Sequence, residues 1–412
     1  MKKNHIKRDL YLKKIDDFID TDFIKVLTGI RRCGKTSIMQ DIIDELKNKG
    51  IKEENIVYIS FESLEYNKIE NFNQLNEVIM NKVKELNGKF YLFFDEIQNV
   101  SEWERSINAF RVSFDCDIFI TGSNSKLLSS ELSTLLSGRF IEIKIYPFSF
   151  KEYLQYMNEI KGIELNKYKE IELFEEYYIK YGGMPGLLEL TEDQNIKDAL
   201  MGLYNTILIQ DILSRFKINR IDLFQRFTRY MMSSVGQTFS AKSIKNYLKN
   251  QNIRTSQDTL LKYLNYLQQP YFILKCKRED LIGKKEMKIY EKYYLTDHGF
   301  HHAIVEDNNN KITRILENIV YIELLRRGFI VKVGKIYDKE IDFVCEKSGI
   351  YKYVQVSYKV DDEKTKEREI APLLKINDKF DTYLITMDYV NKNIKGIKQL
   401  SIIDFLKGDE IS

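Results

Sequence analysis

One octapeptide near the N-terminus limits the folds open to this chain more than any other segment. Residues 29–36 read Gly-Ile-Arg-Arg-Cys-Gly-Lys-Thr and match the pattern G-x-x-x-x-G-K-[ST] at every required position. A short apolar run precedes them, and an amphipathic, helix-length stretch, Ser37–Lys49, follows and ends at Gly50. In such a strand–loop–helix turn, backbone amides at the helix N-terminus point toward bound phosphate groups. The segment therefore predicts an α/β fold with a parallel sheet and a phosphate-binding loop (P-loop).

The residue types in this loop match the chemistry of a nucleoside triphosphate. Gly29 and Gly34 let the backbone approach the phosphates closely, and Lys35 offers a positive charge to the β- and γ-phosphates. The Thr36 hydroxyl is expected to ligate Mg²⁺. The residues expected to contact ATP are Gly29, Arg31, Arg32, Cys33, Gly34, Lys35, Thr36 and Ser37. The alternative is a chance loop of Gly and Lys, and the flanking strand and helix argue against it.

A second apolar run, Phe90–Phe94, ends in two adjacent carboxylates, Asp95 and Glu96. Carboxylates at the end of a buried strand are costly unless they have partners. We expect Asp95 to hold Mg²⁺, directly or through water, and Glu96 to polarise an attacking water. The alternative is a strand end capped by solvated acids, and the P-loop upstream favours the catalytic interpretation.

Two further polar positions are candidates for the same site. A third apolar run ends in Ser123 and Asn124, either of which is placed to sense the γ-phosphate and orient water. An ordinary turn after Gly122 is the alternative for Asn124. Arg139 precedes another apolar run and is a candidate arginine finger, acting within the chain or on a neighbouring subunit of a homo-oligomer. A surface arginine in a salt bridge is its alternative.

The pattern of apolar residues divides the chain into regions. From Phe23 to Ile145, short apolar runs alternate with helix-length segments, which predicts a parallel sheet with helices on both faces. Pro147 to Asn310 is mostly helical, with one hairpin-like stretch at 271–295, and mixed α/β patterning returns at Lys311. The polar stretch 306–310 is the best linker candidate. The predicted regions are 1–150, 151–230, 231–305 and 311–412.

Composition sets only broad limits on function. The 412 residues are 43% hydrophobic and 30% charged, and the net charge of +3 neither demands nor excludes a nucleic-acid partner. The four cysteines are isolated and share no metal-ligand spacing, which favours a reducing compartment. The N-terminus lacks the apolar core of a signal peptide, and no apolar run is long enough to span a membrane. We therefore expect a cytoplasmic protein.

These motifs resemble those of the AAA+ family of P-loop ATPases. The likeness covers about Ile24–Phe150, with the Walker A segment at 29–36, the Walker B segment at 90–96 and Ser123 or Asn124 in a sensor-1-like position. More narrowly, the chain is similar to prokaryotic AAA-family proteins that carry a C-terminal domain of unknown function. The segments behind that likeness are Gly29-Ile-Arg-Arg-x-Gly-Lys-Thr36, Asp95-Glu-Ile-Gln98, Ser137-Gly-Arg-Phe140, Pro147-Phe-Ser-Phe-x-Glu152, Tyr181-Gly-Gly-Met-Pro185, Tyr294-Leu-Thr-Asp-His-Gly299 and Glu340-Ile-Asp-Phe343.

The resemblance implies an architecture for each region. It implies an AAA+ core at 1–150, a helical lid or linker at 151–230, a winged helix at 231–305 and a restriction-endonuclease-like domain at 311–412. The middle region also has this pattern by itself, because two helix-length segments, Phe239–Leu248 and Arg254–Leu267, precede the hairpin-like stretch. In a winged helix the second helix enters the DNA major groove, so double-stranded DNA is a candidate partner. Winged helices also serve as packing modules, and that alternative stays open.

The C-terminal region has an incomplete set of nuclease residues. Nucleases of the PD-(D/E)xK type use a helix glutamate, a strand aspartate and a (D/E)-x-Lys segment to bind Mg²⁺ and attack a phosphodiester. Glu317 and Asp342 fit the first two positions, but Gln355 stands in place of an acid and Ser357 in place of the lysine. Lys359 lies two residues too late. We therefore expect a degenerate site at Glu317, Asp342 and Gln355.

Three functions are compatible with these patterns. The first is an ATPase whose hydrolysis of Mg-ATP reshapes an attached, DNA-associated winged-helix module. The second is a nucleotide-dependent switch or scaffold without significant turnover. The third is an ATP-regulated nuclease, which the missing acid and lysine disfavour.

Overall fold

A computed structural model describes residues 5–84, 88–125, 138–283, 285–305, 312–360, 362–408 and 411, with only the backbone described for 285–289. The chain divides into two compact units. The first comprises Met1–Ile145 with Gln269–Tyr271, and the second comprises Tyr146–Gln268 with Phe272–Ser412. The linker predicted at 306–310 lies outside the described residues. The finer division of the second unit into 151–230, 231–305 and 311–412 stays a prediction.

The first unit is built on a five-stranded sheet in which every neighbouring pair is parallel. The strands are β1 (Ile24–Thr28), β2 (Ile56–Ser60), β3 (Phe90–Asp95), β4 (Cys116–Gly122) and β5 (Phe140–Lys144). Their order is β2-β3-β4-β1-β5. Strand β4 therefore lies between β1, which leads into the P-loop, and β3, which ends at Asp95. The parallel α/β sheet predicted for this part of the chain is confirmed.

Helices cover this sheet and complete its core. They are α1 (Asp9–Asp16), α2 (Lys35–Asn48), α3 (Phe72–Val83) and α4 (Trp103–Ser113). Every residue of β1 and β3 is buried, so both faces of the central strands are shielded from water. On one face, Leu92 and Phe94 pack with Ile79 of α3 and Ile107 of α4. This rigid core holds the loops at the carboxyl ends of the strands.

The second unit begins with a helical region. Its helices are α5 (Phe150–Glu159), α6 (Lys167–Glu172), α7 (Asp193–Thr206), α8 (Ile221–Ser233), α9 (Ala241–Asn250), α10 (Gln257–Gln268) and α11 (Gly299–Ile304). Two π-helical turns extend α6 and α7, at Leu173–Tyr178 and Ile207–Leu213. Ser240 caps α9 by accepting the Ser243 N–H, and Ser256 accepts the Thr259 N–H at the start of α10. Both helices predicted for the middle region are therefore present.

The rest of this unit is an eight-stranded mixed sheet with three helices. The strands are β6 (Ile273–Asp280), β7 (Lys285–Leu295), β8 (Ile330–Ile336), β9 (Lys339–Lys347), β10 (Ile350–Val356), β11 (Asp381–Thr386), β12 (Lys392–Ile394) and β13 (Ile397–Ser401). Their order is β12-β13-β11-β10-β9-β8-β6-β7. The helices are α12 (Ile312–Arg326), α13 (Glu363–Ile370) and α14 (Ile402–Lys407).

The predicted hairpin is present as β6 and β7, but it is not an isolated wing. Strand β6 pairs in parallel with β8 from Lys277 to Asp280, so the hairpin extends the C-terminal sheet. Its apolar residues Ile273, Leu274 and Cys276 are buried, which makes a solvated hairpin unfavourable. The helix–helix–hairpin order of a winged helix is thus present, and the assignment of a winged-helix domain stays a prediction.

Asp297 shows what two of the glycine-containing motifs do structurally. Its buried carboxylate accepts the backbone N–H groups of Gly183 and Gly299 at 2.8 and 2.9 Å. Burial raises the pKa of Asp297 to about 6, although the two N–H donors oppose that shift. A Cβ atom on Gly183 would lie 2.1 Å from the Phe148 carbonyl oxygen, so only glycine fits there. The Tyr181–Pro185 and Tyr294–Gly299 motifs therefore lock two distant segments together.

Within the described residues, no helix combines the length and the apolar character that crossing a membrane requires. All four cysteines are described, and each is a free thiol.

Candidate functional site

The P-loop joins β1 to α2 through backbone conformations that glycine adopts readily. Gly29 has a φ of 149° and Gly34 a φ of 101°. A Cβ atom on Gly29 would lie 2.2 Å from the Ile145 carbonyl oxygen and 2.9 Å from Cys33 Sγ. Helix α2 begins at Lys35, directly after Gly34. The loop thus curves tightly in front of a helix N-terminus, which is the geometry required to surround a phosphate.

Lys35 is held inside the loop. Its side chain is 4% exposed, and Nζ donates to the carbonyl oxygens of Gly29 and Ile30 at 3.1 and 3.3 Å. The same nitrogen is 3.5 Å from Glu96 Oε1. Burial would lower the pKa of Lys35, but the Cys33, Glu96 and Asp95 side chains raise it above its ordinary value. The lysine therefore remains a cation at the position where phosphate charge is expected.

Asp95 and Thr36 form an oxygen pair suited to Mg²⁺. Thr36 Oγ1 donates to Asp95 Oδ2 at 2.9 Å, and Tyr58 OH donates to the same oxygen at 3.1 Å. Thr121 Oγ1 donates to the other carboxylate oxygen, Oδ1, at 2.5 Å. Carboxylate and hydroxyl oxygens are ligands that Mg²⁺ prefers, so the two predicted metal residues fit this ion. Tyr58 and Thr121 fix the carboxylate in that orientation.

Glu96 is held in an uncommon backbone conformation at the end of β3. Its φ of 57° lies in the left-handed region, which is unusual for a non-glycine residue and frequent at functional sites. Its N–H donates to Thr121 Oγ1 at 2.9 Å, while Oε2 accepts hydrogen bonds from Ser123 Oγ at 3.2 Å and from Gln98 Nε2. Burial would raise the pKa of Glu96, but Lys35, Gln98 and Arg31 hold it below its usual value. Glu96 is thus ionised and able to accept a proton.

The other predicted residues of the first unit have different surroundings. Ser123 contacts Glu96, and Asn124 beside it is 1% exposed, so both lie at the carboxyl end of β4 as expected. Arg139 is exposed and pairs with Asp22 Oδ2 at 3.0 Å, which is the surface salt bridge weighed as its alternative. Its role as an arginine finger stays a prediction.

Four of the residues predicted to contact the nucleotide differ in their solvent exposure and in their partners. Arg32 and Ser37 are exposed beside the N-terminus of α2, and Arg31 lies 3.4 Å from Glu62. Cys33 is fully buried, and its carbonyl oxygen accepts a hydrogen bond from Arg8 Nη1 at 3.0 Å. The Cys33 thiol therefore packs beneath the loop, and contact with a nucleotide at this position would come from the backbone.

In the second unit, the predicted nuclease residues Glu317 and Asp342 meet around a buried lysine. Lys292 of β7 places Nζ 2.8 Å from Glu317 Oε1, 2.8 Å from Glu340 Oε1 and 3.7 Å from Asp342 Oδ1. Tyr294 OH donates a further hydrogen bond to Glu317. The sequence patterns did not assign Lys292 to this cluster, because it lies on the hairpin predicted for the middle region, outside the region 311–412 that holds the nuclease-like pattern.

The electrostatics of this lysine–carboxylate cluster are those of a buried ion network. Burial would lower the pKa of Lys292, but Glu317, Asp342 and Glu340 raise it above its ordinary value. Burial and the neighbouring Glu317 raise the pKa of Asp342 well above its ordinary value. In the described part of the chain, no group of three or more His, Cys, Asp or Glu side chains has an arrangement that could hold a metal ion.

Gln355, the third residue of the predicted degenerate site, also lies beside Asp342. Its Oε1 accepts the Asp342 backbone N–H at 3.2 Å, and its Nε2 donates to Glu369 Oε2 at 3.2 Å. The amide therefore satisfies backbone and side-chain partners. Lys359 lies over the Tyr358 ring, with Nζ 5.5 Å from the ring centroid, and Ser357 Oγ donates to the Lys359 carbonyl oxygen.

Two family models match the chain. One, described as an AAA domain, matches residues 21–154, and a second, a domain of unknown function (DUF8612), matches residues 171–311. The first range contains the P-loop, β3 and β4. The second covers the hairpin and the helical region from the π-helical turn at Leu173–Tyr178 onward.

Relatives and a solved structure extend this likeness. An uncharacterized protein of Haemophilus influenzae is 40% identical over 409 residues, which cover 98% of this chain and 100% of that protein. An uncharacterized protein of Methanocaldococcus jannaschii is 32% identical, covering 97% of this chain and 88% of that protein. The Walker-type ATPase of Pyrococcus abyssi has a similar fold, with a TM-score of 0.51 and 16% identity over 73% of this chain and 96% of that one.

The loop geometry, the AAA-domain match at residues 21–154 and the full-length relatives agree. The chain belongs to the family of these bacterial and archaeal relatives, and its own residues 21–154 form an AAA domain of the AAA+ P-loop ATPase class.

Proposed function

We propose that this protein binds Mg-ATP at residues 29–37 and hydrolyses it, with Glu96 as the residue that activates water. The observation that carries the proposal is the convergence of two pairs at one edge of the sheet. Thr36 Oγ1 lies 2.9 Å from Asp95 Oδ2, and Lys35 Nζ lies 3.5 Å from Glu96 Oε1. A cation, a hydroxyl and two carboxylates in this arrangement match the parts that phosphoryl transfer requires.

Each residue has a separate task in this proposal. The amides after Gly34 bind phosphate oxygens, and Lys35 exchanges the Gly29 and Ile30 carbonyls for the β- and γ-phosphates. Thr36 and Asp95 would hold Mg²⁺, which neutralises phosphate charge when bound. Release of Lys35 also frees Glu96 Oε1 to accept a proton from water, while Ser123 keeps Oε2 oriented.

Substituting Lys35 with alanine tests the nucleotide site directly. Lys35→Ala should weaken Mg-ATP binding by at least about tenfold, because a charge-assisted contact of roughly 1.5–3 kcal/mol is lost. Titration with a fluorescent ATP analogue measures this affinity. Lys49→Ala, at an exposed position beyond the other end of α2, is the matched control and should leave binding unchanged. Equal affinity in wild type and Lys35→Ala would contradict the proposed site.

A DNA-associated role for the second unit is a further candidate, favoured by the charge of α9, α10 and their connection. Residues 241–268 contain five basic side chains, Lys242, Lys245, Lys249, Arg254 and Lys262, and one acid, Asp258. All but Lys245 are exposed. Phosphate contacts from such residues release counterions, so affinity should fall steeply with salt.

The basic surface of α9 and α10 can be tested by charge reversal. The double variant Lys242→Glu and Lys249→Glu should weaken binding to a duplex and reduce the log–log salt slope by about two. Mobility shifts at several salt concentrations measure both quantities. Lys392→Glu, an exposed lysine on β12, should behave as wild type. Absent binding, or an affinity that does not depend on salt, would remove DNA from the proposal.

A further inference from the structure

Three residues between α10 and β6 belong to the first unit, which contains the P-loop and is called the ATPase unit from here on. Gln269–Tyr271 groups with Met1–Ile145, while Gln268 and Phe272 on either side belong to the second unit. Tyr271 is 5% exposed, and the adjacent Phe272 is 1% exposed and packs against Phe300. Consecutive aromatic side chains thus anchor the chain in the core of each unit. Helix α10 is therefore joined directly to a segment that the ATPase unit holds.

The Tyr271 hydroxyl connects this segment to the residue before the P-loop. It donates to Glu142 Oε1 at 3.3 Å, and Thr28 Oγ1 donates to the same oxygen at 2.6 Å. Thr28 immediately precedes Gly29, where the loop begins. One carboxylate oxygen on β5 therefore links Tyr271 to the start of the phosphate-binding loop.

The other end of the segment contacts the carboxyl end of β4. The Ser125 N–H donates to the Gln269 carbonyl oxygen at 2.8 Å. Ser125 lies two residues after Ser123, whose hydroxyl donates to Glu96. Gln269–Tyr271 thus contacts the carboxyl end of β4 directly and is linked to the start of the P-loop through Glu142.

The backbone of Tyr271 is strained, which indicates that these contacts constrain it. Its φ is 57°, in the left-handed region, which a bulky side chain rarely adopts. Burial and the neighbouring Glu142 carboxylate raise the pKa of Tyr271, so the hydroxyl keeps the proton that it donates. A strained residue persists only where its surroundings hold it.

We infer that Tyr271 is a positioning residue that transmits the nucleotide state of the ATPase unit to α10. A shift of the P-loop or of the β4 end changes the position of Glu142 or Ser125, and the three-residue segment passes that change into the helix. The inference rests on the proposed nucleotide site. Tyr271 would thus provide a physical route by which ATP binding changes the position of α10, which carries part of the basic surface.

Removing the Tyr271 hydroxyl while keeping its ring tests the inference. Tyr271→Phe should lower kcat about five- to tenfold and leave KM for ATP within about twofold, because one hydrogen bond that orients the loop is lost. ATP should also no longer alter amide hydrogen exchange in residues 257–268, as measured by mass spectrometry. Tyr168→Phe, at a position 86% exposed, is the control and should match wild type.

Glu142→Ala removes the acceptor at the other side of the contact, and it should show the same loss of ATP-dependent exchange. The inference is overturned if Tyr271→Phe keeps both the wild-type kcat and the wild-type exchange response. It is also overturned if the variant merely melts earlier, with its ATP response intact, since that is a structural role. A wild-type protein that binds no ATP would instead refute the proposed function itself.

Discussion

Glu96→Gln should reduce ATP turnover by at least about 100-fold while preserving ATP binding, because the amide cannot accept a proton from water. The change conserves size and leaves an oxygen to accept the Ser123 hydroxyl. It also removes a carboxylate that lies 3.5 Å from Lys35 Nζ. Less negative charge beside the triphosphate favours binding, so KM should stay the same or fall.

Phosphate release under steady-state conditions, with a parallel binding titration, measures both effects. Glu102→Gln is the matched control, because Glu102 is an exposed acid in the turn before α4. Equal, slow turnover by wild type and Glu96→Gln would contradict the ATPase proposal and favour a nucleotide-dependent switch without turnover. If the variant lost ATP turnover only in proportion to its loss of ATP affinity, Glu96 would contribute to ATP binding and not to the activation of water.

Lys292→Met should destabilise the second unit by about 3–5 kcal/mol, which is the usual cost of removing one partner from a buried ion network. Methionine conserves most of the volume but leaves Glu317, Glu340 and Asp342 around an apolar side chain. Burial and Glu317 raise the pKa of Asp342, and Lys292 opposes that shift, so removing the lysine should raise this pKa further. The loss should therefore be greatest near neutral pH and shrink as Asp342 protonates at lower pH.

Urea unfolding at several pH values measures this loss. Lys275→Met is the control within the same hairpin, since Lys275 forms a more exposed pair with Glu291 and should cost about 1 kcal/mol or less. Adding Glu317→Gln to Lys292→Met should restore part of the stability. Unchanged stability in Lys292→Met would show that the cluster does not depend on its cation.

Local sequence patterns predicted the ATPase unit well because its main motifs are short segments that are continuous in the sequence. The P-loop, its strand and its helix lie within one continuous segment, and a buried parallel strand such as β3 is apolar along its whole length. Asp95 was predictable since the carboxyl ends of parallel strands meet at one edge of the sheet. The partners Tyr58 and Thr121 were not singled out, because a tyrosine and a threonine on strands carry no signal of that contact.

The second unit was less predictable because its important contacts are distant in sequence. The pairing of β6 with β8 joins residues more than 50 positions apart, and nothing in the hairpin itself indicates that neighbour. Lys292 was therefore not singled out within the predicted hairpin, although it is the cation beside Glu317. Gln355 and Ser357 could be noted as departures from a nuclease pattern because that judgement needs only side-chain chemistry, and the degenerate site stays a prediction.

The role of Tyr271 could not be predicted from the sequence for a different reason. A tyrosine in a short connection between a helix and a strand is ordinary in sequence. Its role depends on the hydrogen bonds that join it through Glu142 to Thr28, and both residues are far away along the chain. The residue type also gives no indication of the positive φ, because tyrosine does not favour that conformation.

If Gly29–Thr36, Asp95 and Glu96 form one ATP-hydrolysing site, phosphate release by the full chain must depend on Mg²⁺ and on Lys35. The wild type should release phosphate from ATP only when Mg²⁺ is present, and Lys35→Ala should release none above background. Equal phosphate release from the wild type and Lys35→Ala, or release that does not depend on Mg²⁺, would contradict this site.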